Sequence, residues 1–239
     1  MNKIKTSEPV NYKIIEIKQI THDTKSFKFK LPDQSTLDLL PGDHLMMQAD
    51  INGQTHRRPY TPSSTPDDAG FFEIIIKRYP NGLMSGYIHE KKVGDEILLA
   101  GPTKGGHFEP TMAGTIAMIA GGAGVTPMIA IIRTAIRRGY KTDMTLLFAN
   151  KTEQDIILRE EFENYAAKYD NFKCVFTVEQ PSIDWRGHSG FIDENHLQKH
   201  LPPPTANPLI FLCGPPVMEY KLREAILKLG YEKTRLIIP

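Results

Sequence analysis

The feature that most constrains the fold is a change of hydrophobic rhythm partway along the chain. From Tyr12 to Ile20, four isoleucines (Ile14, Ile15, Ile17, Ile20) are interleaved with Lys and Glu. From Lys25 to Leu31, Phe27, Phe29 and Leu31 alternate with lysines. A period of two places alternate side chains on opposite faces, the pattern of a half-buried strand. Pro41-Gly42-Asp43 signals a turn before a further strand over His44 to Gln48. Phe71 to Arg78 is another strand, Met84 to Lys91 a short helix, and Glu96 to Ala100 a last strand opened by Gly94-Asp95. Short strands, turns and one helix predict a small antiparallel barrel.

Past Thr111 to Thr115 the rhythm lengthens. Ile116 to Ala120 reads as a fully buried strand, and a helix follows from Pro127 to Arg138, stopped by Gly139. Strands over Met144 to Ala149, Phe172 to Val178 and Leu209 to Cys213 alternate with helices over Asp155 to Lys168, Asp193 to His200 and Val217 to Leu229. Arg235 to Ile238 closes the chain. Asp155 is expected to cap its helix. Strand–helix alternation at this spacing predicts a doubly wound α/β parallel sheet with crossover helices. The junction falls within Glu109 to Gly114, giving two domains, 1–110 and 115–239.

Composition excludes several classes. Lys and Arg number 29 and Asp and Glu 28, so the net charge of +1 gives no whole-molecule reason to bind nucleic acid or an anionic membrane. Only two cysteines, Cys174 and Cys213, are present. They are too few for a disulfide framework, a four-thiolate zinc site or a chain-encoded iron–sulfur cluster. No metal site is expected. No apolar run reaches the ~18 residues of a membrane span, and the N-terminal stretch is polar. The expectation is a cytoplasmic chain. Any membrane association would come through an anchor outside this sequence.

Three segments carry chemistry. Gly121-Gly122-Ala123-Gly124 lies between a buried strand and a helix opening at Thr126-Pro127. Glycines let the backbone approach a phosphate, and a helix N-terminus offers unpaired N–H groups. The same segment also reads as a plain tight turn, and it is not a G-x-G-x-x-G loop. Cys213-Gly214-Pro215-Pro216 also follows a strand and precedes a helix. In a parallel sheet both loops fall at the carboxyl ends of strands, where ligands bind. Arg57-Arg58-Pro59-Tyr60-Thr61-Pro62 reads as one short strand with an Arg suited to phosphate and a Tyr suited to stacking. Taken alone, it reads better as an edge strand with a solvated Arg and a packed Tyr.

Taken together and in this order, Arg58-Pro59-Tyr60-Thr61, Gly121 to Pro127 and Cys213 to Pro216 resemble the ferredoxin–NADP reductase superfamily of flavin- and pyridine-nucleotide-dependent reductases. The chain is most similar to its NADH–cytochrome b5 reductase branch. Thr21 to Thr24, Gly101-Pro102, Leu147 to Glu153, Asp155 to Arg159 and His200 to Pro204 support this. The resemblance implies an FAD-binding barrel over 1–110 and an NAD(P)H-binding domain over 115–239.

The resemblance also implies roles. Arg58 would bind the FAD pyrophosphate, with Pro59 beside it, and Tyr60 would pack on the flavin ring. Thr61 would hydrogen-bond near the flavin N5. Ile75, Ile76 and Lys77 would line the flavin, and Lys77 would attract the reduced cofactor. Tyr79 would lie along the adenosine side, and Gly82, Met84 and Ser85 would form a phosphate-binding turn. Thr126 would close over the flavin, and Gly122 and Gly124 would pass the NAD pyrophosphate. Cys213 would lie near the nicotinamide, framed by Gly214, Pro215 and Met218. Asp155 would favour NADH over NADPH by repelling a 2′-phosphate. Thr61, Lys77 and Cys213 are thus the residues expected at the chemistry, with FAD and NADH as cofactors. His22 and His44 are expected to be structural or flavin-edge residues, not catalysts.

The implied reaction is hydride transfer from NADH to FAD and single-electron transfer to cytochrome b5 or a similar haem protein. Alternatives are a reductase for an oxygenase, ferredoxin or other small acceptor, and a flavin- or nucleotide-binding regulatory module without turnover. Leu83 departs from the branch, since animal members carry Lys there, and the stretch from Phe108 to Gly114 is shorter. These departures bear on the acceptor, which in this branch is acidic and docks on basic surface. Lys91-Lys92 and Arg137-Arg138 are the basic pairs available for that.

Overall fold

In the computed structural model, which describes residues 2–239, alternating apolar residues in the first part of the chain become two-faced strands. The chain groups into two compact units. One comprises residues 2–108 with Ile129–Thr134, the other Glu109–Met128 with Ala135–Pro239.

The first unit contains β1 (Lys3–Ile4), β2 (Thr6–Thr21), β3 (Thr24–Lys30), β4 (Thr36–Leu37), β5 (His44–Ile51), β6 (Gln54–Tyr60), β7 (Phe71–Lys77), α1 (Leu83–His89) and β8 (Glu96–Thr103). Six of these strands form one antiparallel sheet in the order β6-β5-β8-β2-β3-β7, and β1 and β4 form a separate small parallel pair. The inward residues of β2, β3, β5, β7 and β8, with Met84 and Ile88 of α1, make the core. Phe29 stacks on Phe72 with ring centroids 5.0 Å apart, and Tyr12 meets Phe72 edge-on at 5.2 Å.

Asn52 and Gly53 both have positive φ, 53° and 75°, and join β5 to β6 in a tight hairpin. A two-residue turn of this hand matches the twist of the strands it joins, and Asn-Gly suits it. The sheet closes on itself at one seam. Pro62 bridges Ile74, Ser63 N–H donates to Glu73 O at 2.7 Å, and Glu73 N–H donates to Ser64 Oγ at 3.0 Å. The strand expected over Arg57 to Pro62 is therefore corrected. It runs over Gln54–Tyr60, and Thr61 and Pro62 lie beyond it. Pro62 has no N–H with which to extend the β5 ladder.

The second unit contains β9 (Thr115–Gly121), α2 (Thr126–Arg137, whose middle groups with the first unit), β10 (Asp143–Asn150), α3 (Arg159–Lys168), β11 (Phe172–Val178), β12 (His188–Ser189), α4 (Glu194–His200), β13 (Leu209–Cys213), α5 (Pro216–Lys228) and β14 (Leu236–Ile237). All six strands are parallel, in the order β12-β11-β10-β9-β13-β14. The chain winds outward one way from β9 and returns to its other side with β13. The order therefore reverses between β9 and β13, the switch point at which open α/β sheets bind ligands. Ile116, Ala117, Met118, Ile119 and Ala120 are all fully buried, as a central strand covered on both faces requires.

The helix expected over Asp155 to Lys168 begins later, at Arg159. A short 3₁₀ turn over Glu153–Asp155 precedes it, and Leu158 at φ 55° breaks the path between them. Asp155 is not the N-cap of a long helix. Thr152 is the cap of the short turn, and Asp155 sits three residues later in a reciprocal capping box. Among the described residues, no helix is long and apolar enough to cross a membrane.

Candidate functional site

In the first unit, the end of β6 and the strand across the seam present the candidate flavin residues. Side chains two apart share a strand face, so Arg58 and Tyr60 lie together. Arg58 is exposed and its Nη1 donates to the Arg57 carbonyl at 2.7 Å. Tyr60 is half-buried, and burial pushes its phenol up to about 12. The Arg58 charge acts against that rise and Tyr79 adds to it. Arg58 and Tyr79 therefore both lie in the neighbourhood of Tyr60. Pro59 is exposed and Thr61 half-buried just past the strand.

Across the seam, Ile75 and Ile76 are buried. Beyond Ile74, the second edge of β7 has no strand partner among the described residues, which leaves backbone groups there for a ligand. Lys77 does not project freely. Its ammonium lies 2.9 Å from Asp23, a carboxylate that also accepts from Thr21 and Thr24 hydroxyls at 3.0 Å. Burial raises the Asp23 pKa, but the Lys77 and threonine hydrogen bonds outweigh it and hold the group below its ordinary value. Behind the strand, the buried His89 has its Nε2 2.8 Å from the Ile76 carbonyl, a brace that hydrophobic patterning did not single out.

The turn before α1 is wired internally. Gly82 N–H donates to Tyr79 O at 3.0 Å, Ser85 Oγ donates to Gly82 O at 3.1 Å, and Tyr79 N–H donates to Ser85 Oγ at 3.2 Å. A Cβ on Gly82 would collide with the Ser85 hydroxyl. Met84 points into the barrel core and is only 4% exposed, so it offers the turn its backbone and not its sulfur. His44, half-buried, has its pKa lowered by desolvation.

In the second unit, the loops after β9 and β13 meet at the switch point. Gly124 approaches the Cys213 carbonyl so closely that a Cβ would overlap it, and Gly121 and Gly214 both pack on the Met218 sulfur. Gly122 is different. Its φ is +52° and no atom lies within 4 Å of the place a Cβ would take, so its backbone faces open space. A bare backbone beside a helix start is what a pyrophosphate needs. The Thr126 hydroxyl donates to Ala123 O at 3.0 Å, tightening the turn into α2.

Cys213 is half-buried. Burial, and then the nearby Glu219 charge, push its thiol up to about 11, so it is a neutral thiol at physiological pH. Glu219 also accepts the Gly214 N–H at 2.9 Å. That amide is thereby occupied, and Pro215 and Pro216 have none, so the second loop contributes shape more than donors. Asp155 is 7% exposed and turned back on its own turn, its Oδ2 accepting from Thr152 N–H at 3.0 Å and Thr152 Oγ1 at 2.6 Å.

Two residues here went unassigned in the sequence. Glu219 is one. Asn150 is the other: at the carboxyl end of β10, 4% exposed, it has both side-chain polar atoms without a hydrogen-bond partner among the described residues. A buried unsatisfied amide costs roughly 1–3 kcal/mol. Its position at the ligand-binding end of the sheet makes it a candidate contact for the dinucleotide. Asn150 lies within the family-like stretch Leu147 to Glu153, but nothing in the sequence set it apart from its neighbours there.

Both halves match known families. Residues 11–109 match the oxidoreductase FAD-binding domain, and residues 118–224 match the oxidoreductase NAD-binding domain. NADH-cytochrome b5 reductase 1 of Aspergillus terreus is 37% identical over 238 residues, covering 96% of this chain and 80% of that protein. The Dictyostelium discoideum protein of the same name is 32% identical over 237 residues, covering 97% and 83%. The chain belongs to the NADH–cytochrome b5 reductase family.

Among solved structures of similar fold, the cytochrome b5 reductase domain of Ulva prolifera nitrate reductase superposes with a TM-score of 0.90 at 28% identity, each chain fully covered. The ferredoxin reductase in carbazole 1,9a-dioxygenase gives 0.79 at 26% identity over 96% of this chain and 68% of that one. As a member of the NADH–cytochrome b5 reductase family, the chain is an NADH-dependent flavin oxidoreductase, with FAD and NADH as its cofactors. The described residues fit both groups. The exposed Arg58 near the Tyr60 ring and the unpaired edge of β7 suit a flavin nucleotide, and the open backbone at Gly122 suits a pyrophosphate.

Proposed function

We propose that this chain passes electrons from NADH to a cytochrome b5-like haem protein. When bound, FAD would supply the hard chemistry, two-electron acceptance from NADH and one-electron release. The protein's part is to bind, orient and tune. Arg58 holds the FAD pyrophosphate, with Pro59 stiffening the strand, and Tyr60 packs a neutral ring on the flavin. Tyr79 flanks the adenosine side. Thr61 donates at the flavin edge, Ile75 and Ile76 line it with backbone, and the Gly82–Ser85 turn, with Met84 in its backbone, meets phosphate. Lys77 acts as an ion pair with Asp23 and not as a bare charge, so it softens the potential near the flavin without fixing an anion there.

On the dinucleotide side, Gly122 and Gly124 pass the pyrophosphate, and Thr126 orders the turn at the helix start. Cys213, as a neutral thiol, contributes packing near the nicotinamide, shaped by Gly214, Pro215 and Met218. No general acid–base pair is required, since hydride transfer is a problem of positioning. Asp155, in the short turn after β10, favours NADH over NADPH by disfavouring a 2′-phosphate. The domains proposed for these tasks are 1–110 and 115–239.

The observation that carries the reading is the meeting of the Gly121–Gly124 and Cys213–Pro216 loops at the switch point of a parallel sheet, following an FAD-type barrel. Support for the acceptor comes from the names of the relatives and from exposed basic residues Lys92, Arg137 and Arg138. The test is anaerobic bleaching of the FAD-loaded protein by NADH, followed by turnover with cytochrome b5, a ferredoxin and a quinone at low and high salt. Salt-sensitive preference for cytochrome b5 is expected. Preference for ferredoxin would move the chain to the oxygenase-reductase role, and absence of bleaching would leave a binding module.

A further inference from the structure

Three histidines outside the cofactor loops converge on one edge of the second unit. His188 lies on the edge strand β12, and His196 and His200 lie four residues apart on α4, hence on one helix face. The Nε2 atoms of His188 and His200 face each other at 2.9 Å. The His196 ring stands beside them, its centroid 5.1 Å from that of His188. Two imidazoles bound to one tetrahedral ion at about 2.0–2.1 Å place their nitrogens about 3.3 Å apart, so the observed pair is within a few tenths of an ångström of ligand spacing.

We propose that His188, His196 and His200 form a binding site for a first-row divalent transition ion, Zn²⁺ in the first instance, which clips the edge strand β12 to helix α4.

Four further observations support the assignment. His196 Nδ1 lies 2.6 Å from Asp193 Oδ1, the carboxylate–histidine pairing that orients metal-binding imidazoles and leaves Nε2 for the ion. His188 and His200 are each held below the ordinary histidine pKa, by burial first and then by neighbouring charges including each other, His196 and Lys199. That direction disfavours the protonated form, which cannot ligate. Both line a solvent-reaching cleft with Trp185 and Arg159. The backbone of His188 is fixed, because Trp185 Nε1 donates to its carbonyl at 2.8 Å. The three residues do not place one nitrogen each within 4.8 Å of one another, so the site as proposed requires the His196 ring to swing inward on binding. Lys199 opposes a cation here, but its side chain is exposed and screened.

Trp185 is the only tryptophan in the chain and touches the site, which supplies a reporter independent of turnover. The FAD-loaded protein is titrated with Cu²⁺ while tryptophan emission is read, then competed with Zn²⁺, with Mg²⁺ as control. Saturable one-to-one quenching, reversed by Zn²⁺ and by chelator but untouched by Mg²⁺, is expected. His188→Asn and His200→Asn should each abolish saturation. Asp193→Asn keeps the helix cap, since Asn caps as well as Asp, and should weaken binding by about 10–100-fold. Quenching that stays linear into the millimolar range, or that is equal in Asp193→Asn and the parent, overturns the proposal. The histidines would then be a pair sharing one proton.

Discussion

Gly124 lies against the carbonyl of Cys213 with no room for even a methyl group between them. The contact locks the loop after β9 to the loop after β13. Gly124→Ala must push the loops apart, at a cost of about 1–3 kcal/mol for overpacking. The expected result is a raised KM for NADH, with FAD retained. Flavin absorbance after gel filtration and steady-state kinetics in NADH check both halves.

Cys213 makes a second, opposite case. Its thiol is raised to about 11, and Cys174 is raised to about 11 as well, in both cases by burial first. Both should therefore alkylate slowly at pH 7–8 and faster only as the pH climbs toward 11. Peptide mass spectrometry after timed iodoacetamide exposure measures this. Cys213→Ser should retain hydride transfer at reduced rate, because the role is packing and not nucleophilic attack. Complete loss of flavin reduction in a folded Cys213→Ser protein would contradict it.

The seam of the barrel predicts a pH dependence. Glu73 is mostly buried. Burial raises its pKa, but the Ser63 hydroxyl at 2.7 Å and the Arg133 guanidinium at 3.0 Å outweigh that and hold it below 4.5. A carboxyl depressed in the folded state stabilises the fold above its unfolded pKa, and that stability is lost as pH falls through the folded value. Melting temperature should thus drop below about pH 4.5 more steeply in the parent than in Glu73→Gln. At pH 7 the variant should lose roughly 1.5–3 kcal/mol, the worth of hydrogen bonds to a charged group. Thermal melts from pH 3 to 8 decide it.

Asp155 separates charge from geometry. Asp155→Asn removes the charge but keeps an acceptor for Thr152, whereas Thr152→Ala removes the hydroxyl donor, leaves the backbone N–H donor and keeps the charge. Thr152→Ala should cost about 0.5–2 kcal/mol of stability and leave the preference for NADH in place. Asp155→Asn should narrow the NADH to NADPH ratio of kcat/KM. Equal narrowing in both variants would show that geometry, and not charge, sets the preference.

The strand–helix alternation of the second unit was legible because its main strands are rich in apolar residues, continuously so in the middle of β9 and through β13. Phe172 to Val178 and Leu209 to Cys213 form over the ranges read from hydrophobicity alone. The barrel was legible in its long alternating strands and less so at Asn52-Gly53, where a two-residue hairpin sits among polar residues with no apolar period. Asp155 misled because an acidic residue before an amphipathic stretch looks the same whether it caps a helix or closes a capping box one turn earlier. Leu158 in a left-handed conformation is the break, and leucine announces no such thing. Asn150, Glu219 and the pairing of Lys77 with Asp23 were not legible at all. Glu219 depends on how the Gly214 loop folds onto the start of α5, and the other two on which groups meet across strands far apart in sequence. The three histidines escaped for the same reason, since His188 joins the other two only when β12 lies beside β11.

The single bridge between Pro62 and Ile74 bears on what the flavin does for the protein that holds it. Most neighbouring staves of this cask are joined by long ladders, but the last joint is one rivet beside two serines. The residues proposed to grip FAD stand on both lips of that joint, Arg58 and Tyr60 on one and Ile75 to Lys77 on the other. A cofactor so placed is a hoop as much as a passenger. The flavin-free chain should then be loosest where the flavin-loaded chain is most exactingly built, and cofactor supply becomes a condition of the barrel's closure as well as of its chemistry.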